Sequence, residues 1–486
     1  MASNGRTKKQ HPQTAANELI TQLTKEQEVT LANCLSTIKH CKSDEVANFH
    51  RLADAFHQIK AQKLYVGYTN ERAFFKEKLG YSRSHALRLA SEGRLLTRLS
   101  PMGDNLVKLF ASDRHLRPLL KYGPGDQDAA IELLQKWAKM AGLSEWSPKL
   151  IESAVTFLHP PAGPMEPRDS IAIELAGKFC QAIDGSKAVL QNHQPKLPRD
   201  IVTMVLKELE NLSKKALALA GPRRSTGIDW TDATWNPLEG CSHASRGCDH
   251  CYAAKLVATR MSDIYPGLAK KVVIEGHETY AFTGKIVLLP DQLGVPLLDR
   301  VPKRYFVNSM SDLFHPKVPE EFIIAVFKVM EMAHWHTFQV LTKRPDRMAE
   351  FTQKYYRDRQ PPGHIWLGTS TEDQETYDKR NRHLRATRSA IRWLSLEPLL
   401  GPIKLGSLKG IGWAVAGGES GSDRRMEKPW ATDLRDQCNE AGVPFFFKQW
   451  GDFNEAGVKV KKKQKKDRLT PPALDGVVHN AYPEPP

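Results

Sequence analysis

The spacing of apolar residues changes along the chain, and these changes divide it into regions. Up to about Pro160 apolar positions recur at helical spacing, whereas further on short apolar runs alternate with helical patterns. The predicted regions are an all-α N-terminal domain at 1–160, a linker and helical bridge at 161–225, a domain of alternating strands and helices at 226–452, and a basic, Pro-containing disordered tail at 453–486.

Short apolar runs in the third region predict parallel strands connected by helices. The runs lie at 228–231, 285–289, 304–308, 338–341, 365–367, 391–396, 413–416 and 444–447. Such alternation is typical of a parallel barrel or of a doubly wound sheet, and the barrel fits this sequence better. We therefore expect an α/β protein with a parallel (β/α) barrel.

Polar residues follow most of the predicted strands. In a parallel barrel the carboxyl ends of the strands share one rim, and the functional groups of such folds lie there. The polar residues expected on this rim are Asn308, Ser309, Ser311, Asp312, Lys343, Arg344, Thr369, Ser370, Glu397 and Glu419. A cysteine-containing loop follows the first predicted strand and is expected on the same rim.

Composition narrows the class of protein. The 486 residues carry a formal net charge of +15, which favours a polyanionic partner, with nucleic acid as the leading candidate. No apolar run approaches the roughly 20 residues of a membrane span, so no membrane partner is expected. The seven cysteines form no even disulfide framework, and we expect a cytoplasmic protein whose clustered cysteines bind metal.

Three of the cysteines, Cys241, Cys248 and Cys251, lie in one loop with the spacing C-x6-C-x2-C. Three thiolates without a fourth cysteine can hold a 4Fe–4S cluster and leave one iron open to a substrate or cofactor. The same thiolates can instead bind zinc, with His243 or His250 completing the site. The spacing predicts a metal centre and leaves both metals open.

Residues 70–99 predict a helix-turn-helix, in which Asn70 and Ser82 cap the two helices and Gly80 makes the turn. The second helix would present outward the side chains that a DNA-recognition helix needs. These are Arg83, Ser84, His85 and Arg88. An ordinary helical hairpin with a solvated basic face is the alternative. The stretches 74–89 and 114–120 resemble helix-turn-helix modules of plasmid and phage partition or replication proteins.

Motifs of the third region resemble the three-cysteine-motif family encoded by phages and mobile elements. They are the cysteine loop and the stretches 230–237, 307–315, 341–345, 394–402, 416–421 and 445–451. The resemblance covers about Thr226 to Asp452, and that family in turn resembles radical S-adenosylmethionine enzymes. Those enzymes use the spacing C-x3-C-x2-C, whereas six residues separate Cys241 from Cys248 here.

By this resemblance the three cysteines hold a 4Fe–4S cluster that binds S-adenosylmethionine, and the barrel is of the radical-enzyme or TIM type. The rim residues then divide into catalytic Asp312, Lys343 and Glu397 and cofactor-binding Asn308, Ser309, Ser311, Arg344, Thr369, Ser370 and Glu419. The implied function is modification or repair of nucleic acid, or of a substrate near it, with a protein partner encoded nearby left open. The alternative is a non-catalytic DNA-binding protein with a zinc- or iron–sulfur-stabilised interaction or redox-sensing domain.

Overall fold

The computed structural model describes residues 22–42, 48–102, 104–164, 228–460 and 472–484. The predicted linker and bridge lies almost entirely outside the described residues, as does the lysine run at 461–466. The chain divides into two compact units, Met1–Gln135 with Leu143–Val155, and Lys136–Gly142 with Thr156–Pro486. No helix in the described ranges is long and apolar enough to cross a membrane.

The N-terminal region is helical, as its pattern predicts. Its helices are α1 (Lys25–Cys41), α2 (Phe49–Ala61), α3 (Glu71–Ala73), α4 (Arg83–Leu99), α5 (Asp104–Lys108), α6 (Asp113–Leu116), α7 (Pro124–Ala141) and α8 (Pro148–Leu158), with a π-helical turn at Phe74–Leu79 and 3-10 turns at Ser100–Met102 and Leu119–Lys121. Helices α2 and α4 approach closely because Gly93 has no side chain. A Cβ atom there would lie 2.1 Å from the carbonyl oxygen of Ala53.

The segment 70–99 has the predicted order of helix, glycine turn and helix. The Asn70 side chain accepts a hydrogen bond from the backbone N–H of Ala73 at 3.0 Å and caps α3. Gly80 then adopts a left-handed conformation with φ of 74°, which glycine takes without steric cost. The Ser82 hydroxyl accepts from the backbone N–H of His85 at 3.3 Å and caps α4.

The second unit is built on a parallel sheet. Its strands are β1 (Ala233–Trp235), β2 (Leu238–Glu239), β3 (Ala269–Ile274), β4 (His277–Phe282), β5 (Val287–Leu288), β6 (Arg304–Val307), β7 (Thr337–Thr342), β8 (Ile365–Ser370), β9 (Ile391–Leu396), β10 (Trp413–Gly417) and β11 (Phe445–Gln449). Seven of them pair in parallel in the order β1-β6-β7-β8-β9-β10-β11. The others form the antiparallel pairs β2-β5 and β3-β4.

Helices connect most of the parallel strands. They are α9 (Tyr252–Arg260), α10 (Val295–Leu298), α11 (Glu320–Met332), α12 (Pro345–Tyr355), α13 (Gln374–Ala386) and α14 (Lys428–Glu440), with 3-10 turns at Arg246–Cys248 and Pro290–Gln292. Each of the longer crossovers α11, α12, α13 and α14 lies between two neighbouring parallel strands, so the chain adds strands to the sheet one at a time.

The predicted closed barrel is wrong. The seven strands curl through 207° and form an open half-barrel, whose edge strands β1 and β11 do not pair with each other in the described part of the chain. Closing a parallel barrel of this type takes eight strands. The run predicted as a strand at 285–289 forms β5 outside the main sheet, and the run at 228–231 precedes β1 and is not a strand.

Aromatic side chains fill the concave side of the half-barrel. The cluster contains Trp230, Phe306, Trp366, Ile391, Trp393, Trp413, Val415 and Phe446. Gly368 makes room for one of these rings, because a Cβ atom there would lie 2.5 Å from the indole of Trp393. The packed interior explains why these strands are apolar throughout and read as continuous runs.

A segment at 472–484, here called the C-terminal strap, is ordered against the sheet, although disorder is predicted for 453–486. His479 accepts a hydrogen bond from Phe447, and the N–H of Ala481 donates to Phe445, so the strap pairs with the free edge of β11. Tyr482 stacks on Trp413 with ring centroids 5.4 Å apart. The guanidinium of Arg304, at the start of β6, lies 4.2 Å from the centre of the Tyr482 ring.

Candidate functional site

The three cysteines of the loop line one cavity of about 160 Å³ near the carboxyl ends of β6, β7 and β8. The loop begins where β2 ends, and Gly240 turns the chain with φ of 94°, its Cα close to the carbonyl of Lys285. Predicted rim residues that share this cavity are Asn308, Ser309, Ser311, Asp312, Lys343, Arg344 and Ser370. The structure therefore brings together the cysteines and most of the polar strand ends.

Arg344, which follows β7, holds the first part of the loop. Its guanidinium lies 3.8 Å from the sulfur of Cys241 and donates to the Ser242 hydroxyl at 2.9 Å. It also pairs with Asp312 at 2.7 Å, and both side chains are largely buried. Asp312 further accepts hydrogen bonds from the Thr342 hydroxyl and the Lys343 N–H, so its carboxylate is occupied by fixed donors.

Arg380 of α13 holds the middle of the loop. It forms a buried ion pair of 2.9 Å with Glu372 and donates to the Ser245 hydroxyl at 2.8 Å. Glu372 lies against Gly247, where an added Cβ atom would be 3.1 Å from the carboxylate. The loop can approach this ion pair because residue 247 is a glycine.

Arg424 holds the last part of the loop. It pairs with Asp249 at 2.8 Å and with Glu419, which follows β10, and it donates to the carbonyl of Arg246 at 3.0 Å. We call Arg344, Arg380 and Arg424 the arginine clamp. Ion pairs with little solvent exposure and several hydrogen bonds fix geometry, so the clamp holds the cysteine loop against the strand ends.

Two thiols of the loop, those of Cys241 and Cys251, are buried in a way that disfavours nucleophilic chemistry. Burial raises the pKa of Cys241 to about 12, and Asp312 adds to the rise while Arg344 opposes it. Burial also raises the pKa of Cys251. Thiols with raised pKa are poor nucleophiles. A metal would change their state, because metal binding displaces the thiol proton.

The three thiols that line the small cavity could hold a cluster or, with a fourth ligand, a zinc ion. Within the described ranges, no group of three or more His, Cys, Asp or Glu side chains is arranged to hold one metal ion. His243 lines the cysteine cavity and bonds to Asp249 at 2.8 Å, whereas His250 lines the larger cavity. A cluster binds each thiolate at a different iron, so its cysteines must surround a space rather than converge on one point.

A second cavity, of about 1060 Å³, shares walls with the cysteine cavity. Tyr252, Lys343 and Ser370 line both cavities. The Lys343 ammonium donates to the Ser370 hydroxyl at 2.8 Å. No carboxylate in the described residues forms an ion pair with the Lys343 ammonium. Tyr252 is 52% exposed, and its hydroxyl donates to the carbonyl of Ser309 at 2.9 Å. The junction thus presents a cation and an aromatic ring held in place.

The remaining predicted rim residues have separate positions. Glu397 and Glu419 line only the larger cavity. Thr369 lines neither cavity, and its buried hydroxyl donates to the carbonyl of Thr342 at 2.8 Å. Asn308 has a left-handed backbone with φ of 66°, and its buried side-chain oxygen has no hydrogen-bond partner within the described residues. Strained residues of this kind cluster at functional sites.

The predicted DNA-binding residues lie at the start of α4, in the other unit. Arg83 is 55% exposed and pairs with Glu71 at 3.0 Å. Arg88 is 35% exposed and lies 3.6 Å from both Glu92 and Asp113. Ser84 is exposed and His85 half-buried. Both arginines therefore already have carboxylate partners within the protein.

Sequence reasoning missed several residues of the site. They are Asp229, Arg380, Arg424 and the strap residues His479, Asn480 and Tyr482. Glu372 and Lys448 also belong to the site, and the sequence pattern places both among the polar residues at the ends of apolar strands. Arg424 and Asp249 are 175 residues apart in sequence, and no local pattern relates them.

Comparison with known protein families identifies the region of the sheet. Residues 225–483, more than half of the chain, match the model of a family described as a protein of unknown function, DUF5131. The matched range contains the half-barrel, the cysteine loop and nearly all of the strap. No curated protein and no solved structure matches the chain.

Proposed function

Because the chain belongs to the DUF5131 family, whose function is unknown, we propose a function from the site itself. The sheet unit is an iron–sulfur enzyme of the radical S-adenosylmethionine type that modifies or repairs nucleic acid. The observation that carries this proposal is a loop of three cysteines around a small cavity that shares walls with a much larger one. When bound, the cluster would supply an electron to S-adenosylmethionine, whose cleavage supplies a hydrogen-abstracting group.

The chain's own residues hold and orient the reactants. Cys241, Cys248 and Cys251 would bind the cluster, and the arginine clamp fixes their loop against the strand ends. The Arg344 guanidinium beside Cys241 balances negative charge on the thiolates. In this proposal Asp312 is a positioning residue, because its carboxylate is occupied by Arg344 and other donors.

Polar groups at the junction of the two cavities would bind the cofactor and the substrate. The Lys343 ammonium is suited to a carboxylate or phosphate, since its protein partner is only a hydroxyl. The side-chain oxygen of Asn308 can accept a hydrogen bond from an amino group. The cysteines of such a site must stay reduced until the metal binds, and we therefore place the protein in the cytoplasm.

We infer further that the helical unit binds duplex DNA and brings the enzyme to its substrate. Helix α4 begins with a serine cap, and its exposed first turn carries Arg83 and Ser84. A capped helix with basic and hydroxyl side chains at its start can enter the major groove and contact phosphate and base edges. The net charge of +15 supports binding to a polyanion.

Anaerobic reconstitution tests the enzyme proposal. The full chain should take up iron and sulfide, absorb broadly in the visible and release 5′-deoxyadenosine when reduced with S-adenosylmethionine. The triple variant Cys241→Ala, Cys248→Ala, Cys251→Ala should lose the absorption and the product. The matched control Cys438→Ala removes a buried thiol of α14 that lies outside both cavities. This variant should keep the visible absorption and the 5′-deoxyadenosine product.

Two results would contradict this proposal in different ways. Stoichiometric zinc without iron would favour the alternative function, a DNA-binding protein with a metal-stabilised interaction domain. A fully loaded cluster that neither binds nor cleaves the cofactor would retain the metal centre and remove the enzyme. Iron, sulfide and zinc are therefore quantified in the same samples as the product.

A further inference from the structure

One wall of the larger cavity carries a cation between carboxylates. The Lys448 ammonium, near the end of β11, pairs with Glu397 at 2.9 Å, and the two side chains are 23% and 12% exposed. Asp229 lines the same cavity and interacts electrostatically with both groups. The wall therefore offers hydrogen-bond acceptors on carboxylates beside a donor on an ammonium.

Gly417 shows that this wall depends on close packing. A Cβ atom on Gly417 would lie 2.6 Å from a carboxylate oxygen of Glu397, so only glycine leaves the Glu397 side chain its position. The hydroxyl of Ser395 donates to the other carboxylate oxygen at 3.4 Å. The carboxylate is thus held in a fixed orientation toward the cavity that it lines.

The same cavity contains a partly exposed aromatic side chain. Tyr252 is anchored through its hydroxyl, and the residue is 52% exposed. Glu397 lines the same cavity as Tyr252. A flat ligand can stack on such a ring while its polar edge meets the carboxylate and the ammonium.

The open sheet allows the ligand to belong to a polymer. Strands β1 and β11 leave a side of the cavity that the sheet does not enclose, and the described strap runs along β11 from Trp450 to Phe445 and lines part of the cavity. A volume of about 1060 Å³ lies at the upper end of the roughly 300–1,000 Å³ of an ordinary ligand pocket, so the cavity can enclose a ligand of nucleobase size.

We propose that this wall recognises one nucleobase of a nucleic acid strand. The base stacks on Tyr252, its amino or ring N–H groups donate to Glu397 and Asp229, and Lys448 donates to a ring nitrogen or carbonyl. Enzymes that act on a base read it by stacking and by hydrogen bonds to its edge. This inference rests on the proposed function, which supplies the reason for recognising a base. The net charge of +15 favours a nucleic acid over a peptide as the polymer.

The test uses the full chain and a single-stranded dodecanucleotide that carries one 2-aminopurine. The 2-aminopurine fluorescence should change when the oligonucleotide is saturated with protein, since the base leaves its neighbours in the strand and stacks on Tyr252. Lys448→Met should weaken the response roughly tenfold, within the range for one lost base contact. Glu397→Gln should also weaken it. The matched control Lys404→Met removes a lysine that is 76% exposed and paired with Asp433, and should change it less than twofold.

The controls separate this inference from the cluster proposal. The unmodified chain without iron and sulfide should give the same fluorescence response as the reconstituted protein, because the wall does not require the metal. Circular dichroism checks that each variant is folded, and Lys448→Arg, which keeps the charge, should weaken the response less than Lys448→Met. A response that is absent, or equally weakened by Lys448→Met and Lys404→Met, would overturn the inference and leave the cluster proposal intact.

A peptide arm decides between the two classes of polymer. The same titrations use a fluorescein-labelled acidic dodecapeptide of mixed sequence in place of the oligonucleotide. Binding of this peptide that is sensitive to Lys448→Met, without a 2-aminopurine response, would assign the wall to a protein substrate and overturn the assignment to a nucleobase. Peptide binding that is absent or insensitive to Lys448→Met, beside a sensitive 2-aminopurine response, supports it.

Discussion

At the scale of single residues, burial decides the state of Glu92 in helix α4. Its side chain is fully buried, and both carboxylate oxygens lack a hydrogen-bond partner in the described part of the chain. Arg88 lies 3.6 Å away, but burial dominates and raises the pKa of Glu92 from 4.5 to about 7. Removing a carboxylate from water without hydrogen bonds disfavours its charged form.

This raised pKa predicts a loss of stability with rising pH. The folded state binds the Glu92 proton more tightly than the unfolded state, so the stabilisation is complete below pH 4.5 and is lost as the pH rises through about 7. Glu92→Gln should remove this pH-dependent loss of stability and so stabilise the helical unit at pH 8 by up to about 3 kcal/mol. Urea unfolding of the full chain at pH 4.5 and pH 8 measures the difference.

The matched control for this prediction is Glu77→Gln, which changes an exposed carboxylate in the neighbouring π-helical turn. It should leave the pH dependence of unfolding unchanged. If both variants follow the pH dependence of the unmodified protein, the Glu92 carboxyl titrates normally and the raised pKa is refuted.

At the scale of elements, the strap depends on Tyr482. Its ring stacks on Trp413, packs edge-on against Phe446 and receives the guanidinium of Arg304. Arg304 is in turn paired with Asp232, just before β1. These contacts connect the strap, which pairs with the edge strand β11, to the opposite edge of the open sheet.

Tyr482→Ala should therefore release the strap and lower the stability of the sheet unit by about 2 kcal/mol. This loss is smaller than that for truncation of a fully buried aromatic side chain, because Tyr482 is half-buried. Exposure of Trp413 should shift the tryptophan emission to longer wavelength. Thermal unfolding measures the stability. The control Val477→Ala alters an exposed side chain of the same strap and should stay within about 0.5 kcal/mol. Equal melting temperatures of the two variants would show that the strap is not held by Tyr482.

The sequence pattern predicted elements better than their assembly. Strands β6 to β11 were predictable because buried parallel strands are apolar throughout, as in Trp413–Gly417. The three-residue β1 was not, because Ala233–Trp235 is too short for a periodic signal. Closure of the sheet was mispredicted because it depends on the pairing of edge strands, which no local run of residues encodes.

The candidate site was predictable to a similar extent. The spacing of Cys241, Cys248 and Cys251 indicated one loop, and polar residues after strands indicated one rim. The clamp residues Arg380 and Arg424 carry no such signal, since the loop groups they contact come from distant parts of the chain. Thr369 has the right residue type and position, yet its hydroxyl bonds to the neighbouring strand.

At the scale of the whole molecule, the proposed DNA contact competes with an internal ion pair. Arg83 pairs with Glu71, which also contacts Lys60. A phosphate can replace Glu71 as the partner of Arg83, but the exchange costs the protein an ion pair. The competition offers a sharper test of the helix-turn-helix than removal of a basic residue alone.

We expect the full chain to bind duplex DNA with an affinity that falls steeply with salt, since cations that contact phosphate release counterions. Arg83→Ala should weaken binding several-fold, whereas Glu71→Gln should strengthen it because Arg83 is released. Fluorescence anisotropy at several salt concentrations measures both effects.

The charge-matched control for this prediction is Glu132→Gln, which removes an exposed carboxylate of α7 and should strengthen binding less than Glu71→Gln. Equal gains from the two changes would indicate a general charge effect and would contradict a contact through Arg83.

The position of the strap in the sequence has a consequence for synthesis of the protein. Residues 472–484 follow every strand of the half-barrel, so a growing polypeptide contains the whole sheet before the strap exists. During that interval the edge of β11 is unpaired and the ring of Trp413 lacks its cover from Tyr482. Unpaired strand edges and uncovered aromatic rings promote aggregation. The nascent chain is thus most exposed to misassembly just before residues 472–484 emerge from the ribosome.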